Sequence, residues 1–306
     1  MHYAGGNPVG ETGGTYLIRH WRGELPLWQS FWVNLVAPLV AWRTLVGWLL
    51  GSPERFSDLR LFSALGPALT LIGLLLCVWQ GVGCWRAALR YRKLHRERPA
   101  RAMWGELVRV QLAILVAVAM LWAPRFAIIT GRSLHTALFP ERGDWHVARE
   151  QPGVISVRGR FGYGLADAVR DALVKWPDTA ILQLDSPGGL MWEAETLYRT
   201  LSRSHLMTYV EGRCDSACTY VFVAGRGRYV HEGAHMGFHG LGEAYAADPR
   251  TRRHHERLYD ARGVDARFIR NALDTPPDHL LTLNARQLVR VGVAQKVVSE
   301  EELQPR

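Results

Sequence analysis

The first thirty residues hold no apolar run of the kind a secretory leader needs, so no cleavable signal peptide is expected. Charge is absent from Leu61 to Trp85, and these 25 positions are enough to cross a hydrocarbon core of about 30 Å with some tilt. Tryptophan is scarce in the second half, since nine of the twelve lie before residue 130. The composition is therefore split. It predicts a membrane region over residues 1–130, a linker over 131–152, a soluble domain over 153–300 and a tail over 301–306. At roughly 150 residues the soluble part is large enough to bury one core.

Acids are few between Trp85 and Glu106, where Arg86, Arg90, Arg92, Lys93, Arg96, Arg98 and Arg101 gather. The net charge of +9 invites a nucleic-acid partner, but much of the excess sits in this single run. Flanked by apolar stretches, it reads as a cytoplasmic loop, because Lys and Arg resist translocation. No nucleic-acid partner is expected.

Three spans are predicted, at about 31–50, 61–85 and 107–130, with a lipid bilayer as their partner. Arg43 interrupts the first and Arg125 the third. Arg125 lies near a span end and reads as snorkelling. Arg43 sits deeper, and both snorkelling and a functional intramembrane charge stay open. Trp28, Trp32, Trp48, Trp85, Trp104 and Trp122 fall near the span ends, as interfacial indoles do. Arg19 and Arg22 before the first span and the basic second loop put the N-terminus in the cytoplasm. Three crossings then put the C-terminal domain on the far side, which for a bacterial inner membrane is the periplasm. The segment Tyr16 to Leu27, with Ser30-Phe31-Trp32-Val33-Asn34, resembles a stretch found ahead of membrane spans in uncharacterised bacterial proteins, and that resemblance implies no activity.

Beyond the linker, strands are predicted at Val154–Val157, Thr179–Leu184 and Leu206–Val210, with amphipathic helices at Leu165–Trp176 and Met191–Ser202 between them. Such alternation favours a largely parallel α/β sheet with helical crossovers. Loops beyond the carboxyl ends of parallel strands collect ligands. The turn Ser186-Pro187-Gly188-Gly189 and Ser216 both lie there.

A serine becomes nucleophilic when a base takes its proton, and the oxyanion that follows needs fixed donors. Ser216 precedes the apolar run Ala217–Ala224, so it is either a nucleophile at a helix N-terminus or simply the N-cap of that helix. Gly188 and Gly189 can present N–H groups without side-chain obstruction. His235 and His239 both suit the base, and spacing does not choose between them.

The stretch Leu184 to Gly189, the stretch Gly212 to Gly225 around Ser216, and Met236-Gly237-Phe238-His239 together resemble the proteolytic subunit of the Clp protease and related periplasmic members of the crotonase-like superfamily. The likeness covers residues 153–299, including the finish Leu288 to Ala294. It implies a spiral of β-β-α units and a serine peptidase acting on peptides or proteins, without cofactor or metal, and it leaves room for a homo-oligomer. It implies Ser216 as nucleophile and His239 as base. It also implies an oxyanion hole from the N–H of Gly188 or Gly189 and that of Ala217. The family's aspartate falls in a stretch that is longer than usual here, so that Asp278, with Asp274 as its rival, is the third member expected. Cysteines flank the serine, and in an oxidising compartment Cys214 and Cys218 can pair and lock its turn. Cys77 and Cys84 read as packing residues of the second span.

Rival readings remain. His231, His235 and His239 recur every four residues and would suit zinc on a helix, but Gly233 and Gly237 interrupt one. The same scaffold also fits a non-catalytic peptide-binding module, or a hydrolase of small acyl esters or thioesters. The charge-rich, helical segment Glu243–Asp274 would shape the site entrance or oligomer contacts.

Overall fold

The computed structural model describes residues 15–51, 56, 58–240, 249–299 and 302. The chain divides into two compact units, Met1–Phe139 and Pro140–Arg306. Parts of the first predicted connection, of the segment beginning at Glu243 and of the tail lie outside the described residues.

The first unit is helical. A short α1 (Tyr16–Trp21) is followed by a π-helical stretch, Gln29–Val36, that runs directly into α2 (Ala37–Leu50). Pro38 has no N–H to continue an ordinary i→i−4 ladder, and Ala37 donates to the carbonyl of Trp32, five residues back. α3 (Leu59–Leu94) and α4 (Pro99–Leu138) complete the unit. Three segments, Gln29–Leu50, Leu59–Leu94 and Pro99–Leu138, are long and apolar enough to span a bilayer, so the chain associates with a membrane.

The helices outrun the spans read from hydropathy. The basic residues after Trp85 continue α3, because Arg and Lys are good helix formers whose charge limits burial in lipid but not helicity. Small residues let the backbones approach. A Cβ at Gly105 would lie 2.9 Å from the Ala88 carbonyl, and one at Gly83 would lie 2.4 Å from His20 Nε2. Arg43 is exposed on α2 and Arg125 lies over the Trp122 ring at 5.8 Å.

The second unit is a mixed α/β fold on one eight-stranded sheet. β1 (His146–Gln151) and β2 (Val154–Arg158) form an antiparallel pair, and β2, β3 (Ile181–Ser186), β4 (Met207–Asp215), β5 (Arg228–Val230) and β8 (Lys296–Val297) follow in parallel. α5 (Leu165–Lys175) and α6 (Met191–Leu201) are the crossovers, and α7 (Ala217–Ala224) follows β4. Ile155, Leu182, Leu184, Val210 and Met236 of the strands bury against Leu165, Val169, Leu197 and Leu201 of the helices. Parallel strands enclosed on both faces carry such near-continuous apolar runs.

β4 changes partner along its length. Its first half, Thr208–Val210, pairs with β5, whereas Arg213–Asp215 pairs with β6 (His235–Phe238). β6 in turn pairs antiparallel with β7 (Leu281–Asn284). α8 (Pro249–Asp260), α9 (Ala266–Asp274) and α10 (Ala285–Arg290) fill the remainder. This switch puts the ends of β4 and β6 side by side.

The linker expected over 131–152 is largely regular structure. α4 runs through it to Leu138, since residues 131–138 are free of proline and Arg132, Leu134, Ala137 and Leu138 favour helix, and β1 occupies its far end. β1 escapes a pattern-based reading because it is an edge strand with mostly exposed residues, lacking the alternation that marks a half-buried strand.

Candidate active site

Ser216 closes β4 and precedes α7, with φ 54° and ψ −122°. It is the only non-glycine residue with positive φ among the described residues, in a region that costs about 1–3 kcal/mol. Its N–H donates to the Gly237 carbonyl at 2.8 Å, and its own carbonyl accepts from the Thr219 N–H at 3.0 Å and hydroxyl at 2.7 Å. Thr219 has one hydroxyl proton, so the 2.6 Å contact with Tyr259 is a bond donated by the tyrosine. Cys214 and Cys218 are joined by a disulfide with their Cα atoms 5.3 Å apart, closing a small ring around the serine. Both are fully buried.

The N-cap reading of Ser216 describes its position but not its hydroxyl. It stands at the N-cap of α7 and makes no side-chain capping bond. Instead Ser216 Oγ lies 2.7 Å from His239 Nε2. His239 Nδ1 lies 2.6 Å from the Gly240 carbonyl, an acceptor only, so the Nδ1 tautomer carries the proton and Nε2 is left to accept the serine's. Gly240 is held in turn by its N–H, which donates to the Thr275 carbonyl at 2.7 Å. Ser216 and His239 are each half-buried, and so within reach of a substrate.

The aspartate expected to orient the histidine is a correction. Asp278 is 79% exposed with His279 Nε2 3.7 Å from its Oδ2, while Asp274 pairs with Arg252 at 2.9 Å. Among the described residues neither is bonded to His239, whose Nδ1 goes to main chain. A backbone carbonyl has no sequence signature, which is why motif spacing misses it.

The glycine turn abuts the serine. Gly188 has φ 93°, and a Cβ there would lie 2.8 Å from the Ser216 Cβ and 3.0 Å from the Ala217 nitrogen. Gly189 has φ 135°, and a Cβ there would fall 2.2 Å from the Phe161 carbonyl oxygen. The two glycines, left open by the sequence, separate here. The Gly188 N–H donates to Ser186 Oγ at 3.0 Å, whereas the N–H groups of Gly189 and Ala217 have no partner among the described residues. α7 is buried at every residue, and the first N–H groups of an enclosed helix need an acceptor. Among the described residues the Gly189 and Ala217 N–H groups are thus left without an acceptor, a condition that any oxyanion donor must meet.

The other histidines stand elsewhere. His231 Nδ1 accepts from the Gly233 N–H at 3.1 Å, and His235 is exposed on β6. Ser186, Thr219 and Asp215 hold the site together and were given no role by sequence reasoning. Asp215 stood in view between Cys214 and Ser216.

No family model matches the chain, and no curated protein matches it. Among solved structures, it is similar to a mutant form of the membrane-bound stomatin-specific protease 1510-N, at 16% identity and a TM-score of 0.40, over 48% of this chain and 80% of that one. It is likewise similar to a mutant of ClpP1 from Listeria monocytogenes, at 15% identity and a TM-score of 0.43, over 50% of this chain and 95% of that one. Likenesses at this level add nothing to the strand order and the site geometry.

Proposed function

We propose that the chain is a membrane-anchored serine peptidase whose domain acts on peptides or proteins outside the cytoplasm. The observation that carries the reading is the 2.7 Å contact between Ser216 Oγ and His239 Nε2, made by a serine held at positive φ.

In this mechanism His239 Nε2 takes the hydroxyl proton as Ser216 Oγ bonds to the scissile carbonyl carbon. Charge moves to the carbonyl oxygen, which the N–H groups of Gly189 and Ala217 receive. The intermediate collapses when Nε2 returns the proton to the leaving amine. Water then attacks the acyl-enzyme with His239 again as base, releasing the acid and restoring the serine. The imidazolium formed on the way is oriented by the Gly240 carbonyl, a neutral acceptor in place of a carboxylate. Aspartate in such a site stabilises that cation, so its replacement by a carbonyl favours a modest turnover.

Three spans, with basic residues before the first and between the second and third, support a cytoplasmic N-terminus and a periplasmic domain. A disulfide beside the nucleophile fits an oxidising compartment. The test is cleavage of an unfolded protein substrate by the purified full-length chain in detergent micelles. New peptides should form with the wild type and not with Ser216→Ala. Equal cleavage by both would remove the proposal.

A further inference from the structure

Ser216 and His239 stand 23 residues apart and follow different strands, so their contact depends on the registration of β4 against β6. That pairing is short: Arg213↔His235, Cys214↔Met236 and Asp215↔Gly237. Its last pair ends in a glycine, which brings no side chain to pack and the widest backbone freedom of any residue. A two-residue step from there reaches His239. β7 holds the far edge of β6 as far as Phe238↔Leu281, but on the edge that faces Ser216 the ladder ends at Gly237, and a further restraint is needed there.

The restraint is Asp215. Its Oδ1 accepts from the Gly237 N–H at 2.7 Å, and its Oδ2 lies 3.3 Å from Arg213 Nε. Gly237 is thus held on both sides, since its carbonyl accepts the Ser216 N–H at 2.8 Å. Asp215 is 6% exposed, and a carboxylate buried to that degree persists where it is bonded. Gly237 is matched to it: a Cβ there would lie 2.7 Å from Oδ1 and 3.1 Å from Cγ of Asp215. The residue directly before the nucleophile therefore grips the strand that delivers the base.

The geometry points to Asp215 as a positioning residue, which sets the separation of Ser216 and His239 through the Gly237 peptide without touching either reacting atom. This rests on the peptidase reading. A misplacement of about 1 Å costs on the order of 100-fold in rate, and it acts on the chemical step, not on recognition.

The test is inactivation of the full-length chain in micelles by a fluorophosphonate, resolving the maximal rate from the half-saturating concentration, with a melt on each variant. Asp215→Ala should lower the maximal rate about 100-fold and leave half-saturation unchanged. Asp215→Asn keeps an oxygen for the Gly237 N–H and should restore most of the rate. Gly237→Ala, which displaces the carboxylate, should repeat the loss and decides the matter if Asp215→Ala does not melt cooperatively. Wild-type rates in folded Asp215→Ala or Gly237→Ala overturn the assignment and leave the peptidase reading standing. An Asp215→Asn rate as low as that of Asp215→Ala also overturns it, since charge and not the hydrogen bond would then be at work. A wild type that does not react overturns both.

Discussion

Gly188 and Ser216 touch: the turn passes so close to the serine that a single added carbon on Gly188 would lie 2.8 Å from the serine Cβ. The residue that abuts Ser216 must therefore have no side chain, and its φ of 93° imposes the same demand. Gly188→Ala should destabilise the domain by about 1–3 kcal/mol from backbone strain alone. Phosphonylation of Ser216 should also slow on the order of 100-fold. Inactivation kinetics alongside a thermal melt separate the two effects.

His239 Nδ1 is bonded to main chain, so the acids of the loop should be dispensable. Asp278→Asn and Asp274→Asn should each leave the rate of inactivation within about twofold of wild type, as substitutions on exposed side chains do. A loss of about 100-fold in either would restore an aspartate to the machinery.

Cys214 and Cys218 stabilise a strained serine and are shielded from solvent. In the chain-entropy account a ring this small contributes about 2 kcal/mol. The double change to serine should lower the melting temperature accordingly and reduce the reactivity of Ser216. Because both sulfurs are buried, the native protein should resist mild thiol reductants. Alkylation followed by mass spectrometry would find the pair unmodified until the domain is unfolded.

Burial, reinforced by the neighbouring His254, pushes the His255 imidazole down to about 4, and it outweighs the opposing pull of Glu195, whose Oε1 lies 3.6 Å from Nε2. Its folded value lies below that of the unfolded chain, so between about 4 and about 6.5 the unfolded chain binds the extra proton. The contribution is complete above about 6.5 and is lost as pH falls toward about 4, by roughly 3 kcal/mol. Melting temperature measured across that window should fall more steeply for wild type than for His255→Asn, and equal slopes would refute the assignment.

The spans and the SPGG turn were legible in the sequence, whereas His239 was separated from His235 only by the family resemblance. The first two have a local signature, namely a run of apolar residues or glycines at fixed offsets. What escaped lies between segments. The partner switch of β4 joins strands distant in sequence, and the Gly240 carbonyl is an atom every residue has. β1 carries the exposed side chains of an edge strand, so its composition looks like linker. Asp215 lay inside the motif, yet its role depends on a backbone N–H of Gly237, 22 residues away.

The central claim is that His239 activates Ser216 as a nucleophile. Its most direct measurement is the mass of the intact full-length chain after fluorophosphonate treatment, with the adduct mapped by peptide digestion. A single adduct on Ser216, absent from Ser216→Ala and strongly reduced in His239→Ala, is the result expected. A folded protein that takes up no adduct, or an adduct that persists in Ser216→Ala, would contradict it.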